Sequence, residues 1–288
     1  MFRLYSEHVP YEIIDAPLLA QLAARNIELA LAVFPRDVER LAEVERRACA
    51  ANVRLVLWPL LDDDEGRWPS ASNAASFAAH VELLVEGATP TTIIFDVEPP
   101  IEWTRAALHW RYVPRPRRRG SHARLASSLR GRGWTIDAVV PPMVVYGQSW
   151  ERWLGTPVSD LECDRVEPMI YTTLFEGYSR GAIPRRVARD LLVRMTRVAR
   201  GAVSLGVVGG GAIGDERGYR DVSELRDDVA LARAAGATEL SLYALDGILQ
   251  RGELLRWLDA LVRTEAGELP ASTRRGAMVE RVMSWLGR

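Results

Sequence analysis

The ten residues TTIIFDVEPP, 91–100, set two carboxylates, Asp96 and Glu98, on alternate positions at the end of an apolar run. A charge is costly to bury without a partner, so two of them there need a chemical reason. Residues two apart in a strand share a face, which places both carboxyls side by side and turns Val97 the other way. Neighbouring carboxylates push their pKa values apart, and one then keeps its proton near neutrality. A protonated Glu98 beside a helper Asp96 is what a general acid requires. The structural alternative is ion pairing of both carboxylates with arginines, for example those of the loop 111–119. Pro99 and Pro100 then take the chain out of the strand and deny it further ladder bonds.

Such a pair must be held by a scaffold, and the rest of the chain supplies one. Short apolar runs at 2–7, 28–34, 53–60, 91–98, 134–142, 165–173, 202–210 and 239–247 read as strands. Most are solid apolar runs, as expected for parallel strands buried on both faces. Amphipathic segments alternate with them at 16–26, 35–52, 71–87, 121–133, 183–201, 221–236 and 246–265, with a short helix at most between strands five and six. Asp221 with Glu224 resembles a capping box, and Gly236 sits where a helix C-terminus wants glycine. Strand–helix repeated eight times predicts a single α/β domain, a (β/α)8 TIM barrel over 1–266. A doubly wound open sheet is the rival. Residues 267–288 read as an extra C-terminal amphipathic helix packed on the barrel, with a partner-binding role as the alternative.

Active sites of such barrels lie at the C-terminal strand ends. The polar and aromatic residues expected there are Glu7 and His8 on strand one, Trp58 on strand three, and Asp96 and Glu98 on strand four. Strand five contributes Met143, Tyr146 and Gln148, strand six Met169 and Tyr171, and strand eight Tyr243 and Asp246. The tryptophan and tyrosines could stack on sugar rings or simply pack. The methionines could floor a site or belong to the core. The run Asp62–Glu65 reads as a solvated loop, since it lacks the spacing of a calcium loop.

D-x-E at the end of strand four followed by M-x-Y at the end of strand six resembles glycoside hydrolase family 18, the chitinase family. The resemblance implies Glu98 as general acid, Asp96 as the residue that orients the substrate's N-acetyl group, and Tyr171 as an assisting hydroxyl. It also implies attack by the substrate's own acetamido oxygen, with no protein nucleophile. The family's strand four carries D-x-x-D-x-D-x-E; here Ile94 and Thr91 occupy the other two aspartate positions. Its usual strand-eight Trp is replaced by Tyr243 or Leu245. A second glutamate at the end of strand seven is not evident, Glu216 lying some way into the loop.

Two other readings stand beside this one. VVGGGAIG, 207–214, follows strand seven, where many barrels hold a phosphate on glycine-rich backbone. A lyase or isomerase of a phosphorylated substrate would use residues 209–214 in this way. A Schiff-base aldolase is excluded, because all 37 basic residues are arginine and the chain has no lysine. A metal-dependent isomerase lacks hard ligands at the ends of strands five and six. The third reading is a non-catalytic barrel that binds a carbohydrate or a protein.

The 288 residues carry 48% hydrophobic side chains and a net charge of −1. The total gives no reason to expect nucleic acid or a membrane as partner. Cys49 and Cys163 form no metal-ligand pattern, and no cofactor is implied. The N-terminus lacks the pattern of a signal peptide, which makes the cytoplasm the expected location. The glycoside-hydrolase resemblance implies a small molecule or oligosaccharide as substrate. The basic loop 111–122 reads as solvated, with an anion-holding role as the alternative.

Overall fold

The computed structural model describes residues 1–288 apart from 71, 87, 90, 100, 102–121, 157, 180 and 215. Eight parallel strands are β1 (Phe2–Ser6), β2 (Ile27–Val33), β3 (Leu55–Pro59), β4 (Thr92–Asp96), β5 (Thr135–Val140), β6 (Arg165–Pro168), β7 (Ala202–Gly206) and β8 (Glu239–Tyr243). They run in the order β6-β5-β4-β3-β2-β1-β8-β7. A single bridge, Met169 with Ser204, joins β6 to β7 and brings the sheet round on itself. The protein is a single (β/α)8 barrel, as its strand–helix repetition predicts.

Among the described residues the helices are α1 (Ala16–Ala23), α2 (Val38–Ala50), α3 (Ala74–Val85), α4 (Ala123–Gly131), α5 (Gln148–Leu154), α6 (Val158–Leu161), α7 (Thr172–Tyr178), α8 (Arg185–Ala199), α9 (Val222–Ala234), α10 (Leu245–Arg251), α11 (Leu254–Arg263) and α12 (Arg274–Leu286). Asp221 caps α9 by accepting from the Ser223 and Glu224 amides at 2.8 and 3.3 Å. Glu224 reaches back to the Arg220 amide at 2.9 Å, one residue before the cap. Two expectations need correction. Thr172 and Thr173 open α7 rather than finishing a strand. Residues 246–265 divide into α10 and α11 because Gly252 takes a left-handed conformation between them.

Strand alternation separates two cores. Outward-facing Leu29, Leu57, Ile93, Phe95 and Val97 pack under the helices. Inward-facing Tyr5, Ala30, Val56, Trp58, Ile94, Val139, Tyr171 and Tyr243 fill the barrel. The small alanines of β2 face the large Trp58 and Tyr243, so the interior fills without overpacking.

The floor of the barrel is ionic. Arg3, 1% exposed, donates to Glu28 at 3.0 Å and to Asp137 at 2.8 Å, with Glu167 at 3.7 Å. Its neighbour Glu167 also accepts from Arg165 at 2.6 Å and from Ser241. One cation thus ties four strands together at the end away from the expected site. The C-terminal helix α12 rests on α8: Asp190 accepts from the Thr273 amide at 2.8 Å, and Arg194 pairs with Glu280. Trp150 of α5 donates to the Met283 carbonyl at 2.8 Å.

Candidate active site

A cavity of about 450 Å³ opens at the C-terminal mouth of the barrel, lined among others by Glu7, Trp58, Trp68, Asp96, Glu98, Met143, Met169, Tyr171, Glu216 and Tyr243. Its size suits a small ligand or part of a larger one. Asp96 ends β4, and the chain keeps one further ladder bond, from the Val97 amide to the Val139 carbonyl at 2.8 Å. The Glu98 amide then folds back onto the Asp96 carbonyl at 3.0 Å. This tight turn is why Glu98, although past the strand end, still faces the cavity with Asp96 while Val97 stays in the outer core.

The carboxylates are strongly perturbed. Asp96 is 4% exposed and its Oδ1 is buried without a hydrogen-bond partner. Burial, and then the charge of Glu7, raise its pKa well above the ordinary carboxylate range. Burial also raises Glu98 well above that range, followed by the charges of Asp96 and Glu216. The pair therefore retains a proton under conditions where isolated carboxylates are ionised.

Glu7 is the third buried carboxylate, raised chiefly by burial. It is held by Arg67 and by the Tyr243 hydroxyl, which donates to it. Arg67 is anchored in turn on Asp63 at 2.7 Å, and its field lowers Glu7, Asp96 and Glu98 together. It adopts a left-handed backbone, φ 59°, in the turn that follows the acidic run. Tyr171 shares a hydrogen bond with the Ser204 hydroxyl at 3.2 Å. Its ring stacks on Tyr243, with centroids 6.1 Å apart and planes 6° from parallel. Burial raises the pKa of both phenols, which keeps them as neutral O–H groups.

The expected residues divide on inspection. Glu7, Trp58, Asp96, Glu98, Met143, Met169, Tyr171 and Tyr243 all line the one cavity. Tyr146 and Gln148 do not. After Pro141 the chain enters a short 3-10 turn rather than extending β5, which carries Tyr146 toward Gly287 beyond α12 and leaves Gln148 exposed. Asp246 also lies elsewhere: it accepts from the Glu7 and His8 amides at 3.2 and 2.6 Å and so fixes the end of β1. His8 faces a second hollow of about 400 Å³ beside Gly210, Gly211 and Gly214. The basic loop suggested as a partner for Asp96 and Glu98 falls at 111–122, of which only His122 is among the described residues.

Arg67 and Trp68 from the loop after β3, and Glu216 from the loop after β7, were not among the expected site residues; Trp68 and Glu216 line the cavity, and Arg67 pairs with the lining Glu7. The only sequence signal for the first two was a cation and an aromatic directly after the acidic run. For Glu216 it was a lone acid beyond the glycines. Cys49 and Cys163 are free thiols.

No protein-family model and no curated protein matches the chain. Among solved structures it is similar to the PgaB (BpsB) glycoside hydrolase domain from Bordetella bronchiseptica, at 12% identity and TM-score 0.56 over 92% of this chain and 99% of that one. It is also similar to a GH18 chitinase from Pseudoalteromonas aurantia, at 13% identity and TM-score 0.51 over 91% and 99%. A D-psicose 3-epimerase from Clostridium cellulolyticum H10 matches at 11% identity and TM-score 0.42 over 98% and 99%. The first two likenesses show a shared fold alone: the chain is a (β/α)8 TIM barrel.

Proposed function

We propose that the chain is a glycosidase acting on a carbohydrate, with Glu98 as proton donor. The observation that carries this reading is the coupled Asp96–Glu98 pair, both raised well above the carboxylate range, in a cavity walled by Trp58, Trp68, Tyr171 and Tyr243. Glu98 gives its proton to the glycosidic oxygen as the bond to the anomeric carbon breaks. Asp96, ionised once its neighbour is engaged, faces the developing positive charge, and the Tyr171 hydroxyl donates a hydrogen bond to the substrate. The anomeric carbon takes a new bond from the substrate's acetamido oxygen or a carboxylate and then from water, which yields the hydrolysed sugar and returns a proton to Glu98. Aromatic walls receive the apolar faces of sugar rings.

The missing strand-four acids have a substitute in this arrangement. Ile94, one step below Asp96, belongs to the apolar barrel interior. The charge that couples to Asp96 comes sideways from Glu7, just past the end of β1, with Arg67 as its counterion. Glu216 offers a carboxylate that the family resemblance does not include. Loss of turnover in Glu216→Gln on a substrate without an acetamido group would assign it the nucleophile or base role; retention on an N-acetyl substrate would leave attack to the acetamido oxygen.

The phosphate reading draws less support. The hollow beside the glycine loop is lined by Asp246, and among the described residues His8 is the only basic one lining it, where an anion would favour arginines. The test is release of product from fluorogenic glycosides, N-acetylglucosamine oligomers included, by the wild type and by Glu98→Gln. Turnover by the wild type alone supports the assignment. Equal rates overturn it, and saturable sugar binding with no turnover in either form assigns a non-catalytic barrel.

A further inference from the structure

We propose that the outward face of α12 is a docking surface for an anionic lipid bilayer. Met278, Val282 and Trp285 recur at i, i+4 and i+7, one stripe of the helix. They are 62%, 48% and 71% exposed. Trp153 on the adjoining α5, exposed beside Trp150, extends the apolar area. The opposite face of α12 is held on the barrel by Asp190, Arg194 and Trp150, so the stripe is turned to solvent.

Charge identifies the occupant. Arg274 and Arg281 lie on the same stripe as Met278 by helical spacing, four residues before and three after it, and Arg275 flanks it. All three are exposed. The one acid of the helix, Glu280, is turned inward onto Arg194. Glu265 and Glu268 are exposed in the segment before the helix, outside its apolar stripe. An apolar ridge with an aromatic tip and cationic flanks is the pattern of a helix lying in a lipid interface. No described helix is long and apolar enough to cross a membrane, so the contact is with the surface. The whole-chain charge of −1 conceals this local asymmetry.

A second copy fits less well. Pairing this face with its own image sets Arg274, Arg275 and Arg281 against like charges. A helix of 13 residues is about 20 Å long. Its outward face then covers on the order of 200 Å², well short of the roughly 800 Å² per partner of a stable interface.

The experiment is sedimentation of the full chain with phosphatidylglycerol–phosphatidylcholine vesicles and with pure phosphatidylcholine vesicles, at low and high salt. The expected result is binding to the anionic vesicles that weakens with salt. Arg274→Ala with Arg281→Ala lowers the partition coefficient about 25-fold, roughly fivefold for each arginine. Trp285→Ser also weakens it, while Arg46→Ala on α2, across the barrel, leaves it unchanged. Thermal melts confirm that these exposed substitutions preserve the fold. Equal binding to both vesicle types, or anionic binding untouched by the α12 variants, overturns the proposal. So does a concentration-dependent dimer abolished by Trp285→Ser without vesicle binding.

Discussion

Replacing Arg67 by Met tests the electrostatic frame of the site. The guanidinium is buried against Glu7, itself 6% exposed, and is the largest influence holding that carboxyl down against burial. Removing one partner of a buried pair leaves an uncompensated charge and costs about 3–5 kcal/mol. Two features reduce the loss here: Tyr243 still donates to Glu7, and Glu7 can take up a proton. Backbone strain does not change, since methionine has the same difficulty as arginine at φ 59°. The expected cost is therefore about 3 kcal/mol at pH 8, a fall of about 5 °C in Tm.

The pH dependence follows from the sign of the shift. Glu7 is raised in the native protein, and loss of Arg67 raises it further. A group raised on folding contributes its stability below the unfolded pKa and loses it as pH rises through the folded one. The deficit of Arg67→Met should shrink to about 1 kcal/mol by pH 5, where Glu7 is more often protonated. Urea unfolding at pH 5 and pH 8 measures both, and a Glu7→Gln background should remove most of the pH 8 deficit. An equal loss at the two pH values, or a loss under about 1 kcal/mol at pH 8, would refute the reasoning. Because Arg67 also lowers Asp96 and Glu98, the alkaline limb of any pH–rate profile should move to higher pH in the variant.

Asp96→Asn should stabilise the protein by about 1 kcal/mol at pH 8, with the gain vanishing toward pH 4, because it removes a buried charge that Glu7 opposes; turnover should fall about 100-fold or more, read from kcat beside urea melts. Arg3→Met at the barrel floor should cost about 3–5 kcal/mol, since Glu28, Asp137 and Glu167 would lose their shared cation; a loss under about 1 kcal/mol in the same unfolding assay would show that these carboxylates are satisfied without it.

Strand order and the central carboxylates were legible in the sequence for physical reasons. Solid apolar runs report burial on both faces, and Asp96 and Glu98 stand out because polar residues interrupt such a run with strand periodicity. Residues delivered by loops carry no periodicity, which is why Arg67, Trp68 and Glu216 were invisible as site residues. Asp246 reads as a strand-end acid but lies in the first turn of α10, and its partners, the Glu7 and His8 amides just past β1, are far away in sequence. Tyr146 and Gln148 were read along an extension of β5 that Pro141 and Pro142 end in a helical turn. The charged floor was hidden differently: Arg3, Glu28, Asp137 and Glu167 look like ordinary polar strand starts until the closed barrel brings four strands to one point.

The central claim, that Glu98 delivers a proton to a glycosidic oxygen, is tested most directly by leaving-group dependence. Wild type and Glu98→Gln are compared on the responsive sugar linked to a good aryl leaving group and to a second sugar. A lost general acid matters most where the departing oxygen is a poor leaving group. The account predicts a fall of about 10²–10⁴-fold on the sugar-linked substrate and a much smaller one on the aryl glycoside. Equal falls on both, or wild-type rates in the variant, would contradict it.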